Sequence, residues 1–279
     1  MDKCTVQVNN ASFCYGSKKV FNNISFKIKK GEVFCVLGPN GCGKTTLLDC
    51  VLGILKLSEG NVLIGDTDLR DLRENKLAEK MAYVPQTHER SFPYKVKEIV
   101  LMGRAHKTSI FTSPSEEDKK IAMDALEKVG ISELADVPYT QISGGQCQLV
   151  MIARALAQQP EIIVMDEPTS HLDFKNELVV LETVADLVKK HNISILMATH
   201  FPNHAYYFET NHVPTTLVLM NNGIFEETGR PYGVLNEQNI LNTYNINSKV
   251  LNFRLDESTS IRQVVPISLI KEKNQGGRK

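Results

Sequence analysis

Residues 32–46 read EVFCVLGPNGCGKTT. The first seven form a short apolar run of the kind buried in a parallel sheet. Glycine-rich residues follow, and a helix is expected to begin near Lys44. Strand, loop and helix in this order suit the phosphate-binding pattern G-x-x-x-x-G-K-[ST], with Gly38, Gly43, Lys44 and Thr45 at its fixed positions. Glycines let backbone N–H groups crowd around phosphate oxygens, and a helix N-terminus adds partial positive charge. The expected cradle comprises Gly38, Pro39, Asn40, Gly41, Cys42, Gly43, Lys44, Thr45 and Thr46. Lys44 is placed to reach the β- and γ-phosphates of a nucleotide, and Thr45 to offer its hydroxyl to Mg²⁺.

A second apolar strand, EIIVMDE at 161–167, delivers Asp166 at its C-terminal end. Ligands of open α/β sheets bind at that edge. Asp166 can hold Mg²⁺ directly or through water, and Glu167 is placed to polarise a water attacking the γ-phosphate. Taken alone, an Asp-Glu pair after an apolar strand is often a solvated strand end. Beside a matched phosphate loop it reads as catalytic.

Around these two strands the pattern is α/β. TVQVNNASFCYG and VFNNISFKIKKGE alternate apolar and polar residues and read as strands. GNVLIGD, MAYVPQ and ISILMATH are further strands, TTLVLMNNGIFEETG is a hairpin, and residues near 72–79 and 176–190 are helical. The middle of the chain is helical: VKEIVLMGR, then 115–129, where Ser115 caps, Glu116 and Glu117 suit the positive end and Gly130 stops the helix. Ile121, Ala125, Leu126 and Val129 are its expected apolar face. KVLNFRL and RQVVPISL are weak strand patterns near the end, and KEKNQGGRK is expected to be disordered.

The 279 residues suit one large domain or a domain with an appendage; 42% are hydrophobic and 23% charged, ordinary for a soluble globular protein. Lys plus Arg and Asp plus Glu number 32 each, so the basic excess of a nucleic-acid binder is absent. No apolar run approaches the roughly 18 residues that span a bilayer, and the first residues lack a signal-peptide core, so a cytoplasmic location is expected. Six cysteines without a C-x-x-C pair argue against a zinc site or disulfide framework. Cys42 lies in the phosphate loop beside Lys44 at a helix N-terminus, which predicts a lowered thiol pKa and a reactive thiol that ATP would shield; an inert packed cysteine is the alternative.

Residues 141–155, QISGGQCQLVMIARA, pose a separate problem. Ser143 can cap a helix running from about 144 to 157, anchored by Leu149, Ile152, Ala153 and Leu156. With Gly144, Gly145 and Gln146 its N-terminus reads as a second anion cradle; the alternative is a merely capped helix with a glycine-rich entry.

GPNGCGKTT, YVPQ, ISGGQ, IIVMDEPTS, HLD and ATH, in that order, resemble the motifs of ATP-binding-cassette ATPases over residues 1 to about 230. The resemblance implies an α/β fold: a P-loop NTPase RecA-like core with an N-terminal antiparallel β subdomain and a helical signature subdomain. It places a nucleotide-binding domain at 1–247, its helical part at about 88–155, and a short β extension with a disordered tail at 248–279. It also implies that the signature loop Ser143–Gln146 closes over ATP held by a second copy, so that a homodimer sandwiches two ATP molecules. Tyr15 is similar to the residue that stacks on adenine, Gln86 to the one that touches Mg²⁺ or the attacking water, Asp173 to the one that crosses the dimer interface, and His200 to the histidine that contacts the γ-phosphate. Ile142 stands where leucine is commoner, and Cys147 where a longer polar residue is usual.

The segments SFPYKVKEIVLMGR, ISGGQCQLVMIARALAQQP and DEPTSHLDF are similar to ATPases of importers for iron-siderophore, haem, cobalamin and related metal complexes, with molybdate assigned to some relatives. That resemblance implies separate transmembrane permease subunits, an extracytoplasmic substrate-binding protein met only through them, a peripheral position on the cytoplasmic membrane face, and no nucleic acid. The motor motifs do not encode direction, so an exporter ATPase is the alternative. A soluble cassette acting on ribosomes or DNA is a third class, usually with two cassettes in one chain or with coiled-coil or zinc-bearing insertions, none of which the sequence contains.

Overall fold

The computed structural model describes residues 4–87, 92–107, 113–254 and 260–270. The disorder expected over 271–279 and the expected start of the helical insert at 88 lie outside them.

β1 (Cys4–Tyr15) and β2 (Lys18–Lys29) form an antiparallel pair that turns at Gly16, where φ is +58°. β3 (Val33–Leu37) leads through the glycine loop into α1 (Lys44–Val51). β4 (Glu59–Ile64) and the short β5 (Thr67–Asp68) complete an antiparallel sheet in the order β2-β1-β4-β5. α2 (Glu74–Lys80) feeds β6 (Met81–Val84), and α3 (Val96–Leu101), α4 (Glu116–Lys128) and α5 (Gly144–Ala157) follow. The chain returns through β7 (Ile162–Asp166), α6 (Phe174–His191), β8 (Ser194–Thr199), α7 (Pro202–Thr210), β9 (Thr215–Asn221) and β10 (Ile224–Gly229). Short helices α8 (Pro231–Val234) and α9 (Glu237–Tyr244) precede the antiparallel pair β11 (Ile246–Arg254) and β12 (Ser260–Leu269).

The main sheet runs β10-β9-β3-β8-β7-β6. Its five strands from β9 to β6 are parallel, and β10 alone pairs antiparallel. This is the α/β architecture of a P-loop NTPase.

Strand periodicity splits the core in two. Val33, Cys35 and Leu37 of β3, Ile163 and Met165 of β7, and Ile195 and Met197 of β8 face the helices α4 to α7. The alternate residues Phe34, Val36, Ile162, Val164, Leu196 and Ala198 face α1 and the antiparallel sheet. Burial on both faces explains why these strands read as unbroken apolar runs.

In α4, Ser115 Oγ accepts from the Asp118 N–H at 3.1 Å, and Gly130 follows the helix with φ +74°. Ala125, Leu126 and Val129 are buried as expected, Ile121 packs half-buried against the same core, and Ala122 joins the buried face.

Arg104 and Asp118 are both buried, with Arg104 Nε donating to Asp118 Oδ1 at 2.9 Å. Arg104 Nη1 also donates to the Ala157 carbonyl at 3.0 Å and to Gln159 Oε1 at 3.1 Å. The pair therefore ties α4 to the end of α5. Asp118→Ala leaves a buried guanidinium without its counter-charge and should lower unfolding free energy by about 3 kcal/mol. Hydrogen bonds from Ser115 and then Arg104 hold the Asp118 carboxyl down at about 2, from an ordinary 3.8. The contribution should be complete above the unfolded value and fade as pH falls through the window between those two values. Urea unfolding of both proteins at neutral and acid pH checks this; equal stability at neutral pH would show that the pair is dispensable.

Candidate active site

β3 ends in the sheet interior, and the loop after it has little room. A Cβ on Gly38 would lie 2.1 Å from the Met220 carbonyl oxygen of β9. Gly41 and Gly43 have φ of +81° and +107°, in the region that favours glycine. Gly43 is the N-cap of α1 and makes no side-chain cap, so the N-terminus of that helix is left to other acceptors. The loop opens on a cavity of about 700 Å³ lined by Asn40 to Thr46. Tyr15, Lys18, Lys19, Val20, Gln86, Glu167 and the Asn222–Gly223 turn complete the walls. Tyr15 is half exposed and meets Phe13 edge-on at 4.8 Å between ring centroids. Its position at the end of β1 presents an aromatic surface beside the phosphate loop.

Lys44 is only 5% exposed. Its Nζ donates to the carbonyls of Gly38 at 2.8 Å and Pro39 at 3.1 Å and lies 3.5 Å from Glu167 Oε1. Glu167 Oε2 accepts from Gln86 Nε2 at 3.2 Å and from His200 Nδ1 at 2.9 Å. A carboxylate only accepts, so the His200 proton sits on Nδ1. One carboxylate thus gathers three side chains from a helix start, a strand end and a loop.

Asp166 ends β7 and is 2% exposed. Burial raises its carboxyl above the ordinary carboxylate range, and the Thr45 hydroxyl opposes that shift. Asp166 Oδ1 has no hydrogen-bond partner. An unpaired buried carboxylate oxygen beside a threonine hydroxyl fits a hard cation with oxygen ligands. Among the described residues no group of three His, Cys, Asp or Glu side chains could hold a metal by itself, so a cation here would take further oxygens from hydroxyl or amide side chains, water or a bound phosphate.

The structure does not bring Ser143–Gln146 or Asp173 to this cavity. Ser143 Oγ accepts from the Gln146 N–H at 3.3 Å, and Gln146 Oε1 accepts from the Ser143 N–H at 2.9 Å. Both side chains are spent on capping α5, while Ser143 and Gly144 stay exposed. Gly145 packs against Asn176 of α6, where a Cβ would lie 2.4 Å from the amide carbon. Asp173 is exposed and caps α6, its Oδ1 accepting from the Asn176 N–H at 2.8 Å. The second cradle and Asp173 therefore form a separate surface around two helix N-termini.

Sequence reasoning missed Lys18 and Lys19, which bring two cations to the cavity from the start of β2. The paired lysines after Gly16 were the available signal. It also missed Gly223, which packs so tightly on β2 that a Cβ would lie 2.1 Å from the Val20 carbonyl oxygen.

The lowered thiol pKa expected for Cys42 is overturned. Cys42 is buried, and desolvation raises its thiol above the ordinary range, outweighing Lys44 and the backbone hydrogen bonds. Proximity to Lys44 and the helix end is real, but the side chain is withdrawn from water toward the Gly38 backbone.

The family described as ABC transporter matches residues 21–170. An uncharacterized ABC transporter ATP-binding protein of Methanocaldococcus jannaschii is 37% identical over 96% of this chain and 100% of its own length. The iron(3+)-hydroxamate import ATP-binding protein of Bacillus subtilis is 37% identical over 70% of this chain and 72% of its own. A solved ABC transporter described as of metal-chelate type, in an inward-facing conformation, superposes with a TM-score of 0.82 at 31% identity, covering 95% of this chain and 98% of that one. With the phosphate loop, Asp166–Glu167 and the signature cradle on one α/β frame, the chain belongs to the ABC transporter family and is an ATPase subunit of it.

Proposed function

We propose that this chain powers the import of a metal-chelate type substrate, such as an iron-siderophore, haem, cobalamin or molybdate, through separate transmembrane permease subunits. The observation that carries the motor reading is the separation of two anion cradles within one chain. The cavity holds the phosphate loop, while the exposed cradle of α5 contributes nothing to it. A homodimer puts the second cradle to use: Ser143, Gly144, Gly145 and Gln146 of one copy close over the nucleotide of the other, with Asp173 beside them. ATP favours the closed dimer by the contacts that it makes with both copies only there. The metal-chelate class rests on the import relative and the metal-chelate transporter. Among the described residues no helix is long and apolar enough to cross a membrane, so the path across the bilayer belongs to partner subunits. The chain then sits on the cytoplasmic membrane face and meets an extracytoplasmic substrate-binding protein only through them.

Within the cavity Tyr15 stacks on adenine, and the loop N–H groups with Lys44 take the phosphates. Thr45, Asp166 and Gln86 would hold Mg²⁺, which supplies charge stabilisation at the phosphate oxygens when bound. Glu167 is the general base. A γ-phosphate entering the cavity competes for Lys44 and His200, which releases the carboxylate to accept a proton from the attacking water. His200 then faces the phosphate.

Glu167→Gln should retain ATP binding and lose about 10²–10⁴-fold in turnover, the usual cost of a positioned base. Lys44→Ala should weaken Mg-ATP binding by about tenfold or more, the scale of a lost charge-assisted hydrogen bond. Unimpaired turnover in the first variant, or unimpaired binding in the second, would remove these assignments. Tagged Glu167→Gln isolated with Mg-ATP from gently solubilised membranes should bring down a polytopic membrane protein. Recovery of ribosomal or nucleic-acid partners instead would sink the transporter reading.

Cys42 should alkylate more slowly than a free thiol at neutral pH with or without ATP, because burial disfavours the thiolate. Fast labelling that ATP suppresses would restore an accessible, reactive thiol.

A further inference from the structure

Beside His200 lies a buried polar chain that the proposed chemistry does not use. His204 is 2% exposed on the first turn of α7. Its Nε2 is 2.8 Å from Glu177 Oε1 of α6, and its Nδ1 is 3.0 Å from Thr199 Oγ1 at the end of β8. Thr199 is 1% exposed, and its Oγ1 accepts from the Phe201 N–H at 3.1 Å. The directions follow from the chemistry. Glu177 accepts, so Nε2 carries a proton; in the neutral ring Nδ1 then accepts from the Thr199 hydroxyl, and Thr199 Oγ1 accepts from the backbone N–H of Phe201. The hydrogen bond from His204 holds the Glu177 carboxyl below its ordinary range, which keeps it an acceptor.

This chain brackets His200, fixing the residue before it by its hydroxyl and the residue after it by its N–H. The rings reinforce the arrangement, with Phe201 4.0 Å from the His200 ring and 5.2 Å from the His204 ring. Two residues after Phe201, Asn203 is held by the C-terminal strand pair: its Oδ1 accepts from the Val264 N–H at 2.8 Å, and its Nδ2 donates to the Val264 carbonyl at 3.4 Å. The segment carrying His200 is therefore anchored to α6, β8 and β12 at once.

We infer that Glu177, His204 and Thr199 act as positioning residues for ATP hydrolysis, holding the His200 turn so that its imidazole meets Glu167 and the γ-phosphate. The inference rests on the role proposed above for His200. None of the three touches the cavity wall, so their effect is transmitted through the backbone of Thr199–Phe201.

The test measures steady-state kcat and KM for ATP in Thr199→Val, Thr199→Ser, Glu177→Leu, Glu177→Gln, His200→Ala and the double variant Thr199→Val/His200→Ala. Valine keeps the shape of threonine and removes the hydroxyl. Thr199→Val and Glu177→Leu should lower kcat by about tenfold with KM changed less than about twofold. Serine at 199 and glutamine at 177 retain a hydroxyl and an acceptor, so both should stay close to wild type. Because Thr199 acts through His200, the double variant should be no slower than His200→Ala alone. Wild-type kcat in Thr199→Val overturns the inference, as does equal damage from valine and serine or a further multiplicative loss in the double variant. Wild-type kcat in His200→Ala would instead remove the underlying role of His200, a failure that the single variant identifies separately.

Discussion

Burying the ammonium of Lys44 demands close acceptors, since a desolvated charge without them is costly. Two of them are carbonyls of its own loop, Gly38 and Pro39, and the chain turns back sharply to present them. That turn relies on positive φ at Gly41 and Gly43 and on the absence of a side chain at Gly38 against Met220. The third acceptor, Glu167, comes from beyond β7, a strand separated from β3 by β8. One buried cation thus links the spacing of β3, β8 and β7 to the close approach of β9. Its needs explain why the loop is glycine-rich at those positions and why the Glu167 carboxylate lies beside it.

Much of this was legible along the chain because the signals are local. The unbroken apolar run before Gly38 marked a strand buried on two faces, and the glycine spacing with Lys44 marked the turn and helix start. Ser143 and Ser115 announced their caps. The run ending at Asp166 located the sheet edge on which the cavity opens. What stayed hidden depends on distant partners or on short elements. α7, α8 and α9 were not read, since four to nine residues give too little periodicity to stand out. His204 carried no signal in the sequence because its partners Thr199 and Glu177 come from two other elements. Cys42 went wrong for a related reason: the sequence displays the neighbouring lysine but not the burial that outweighs it.

The convergence of Glu167 with His200 follows from strand register. β7 and β8 are parallel, with Asp166 opposite Ala198. The residues that follow, Glu167 on one strand and Thr199 then His200 on the other, emerge side by side at the same sheet edge. Register alone would leave successive side chains on opposite faces. Glu167 escapes that alternation by leaving the strand with φ of +45°, its N–H still held by the Ala198 carbonyl at 3.0 Å. A left-handed conformation at a non-glycine residue costs on the order of 1 kcal/mol or more and persists where surrounding contacts enforce it. Here the cost falls at the residue whose carboxylate must face Lys44, Gln86 and His200 together. His200 meets it from a turn fixed on both sides by Thr199. The strained strand end and the anchored turn are thus two halves of one device: each sets the direction of a side chain, and the 2.9 Å contact between them requires both.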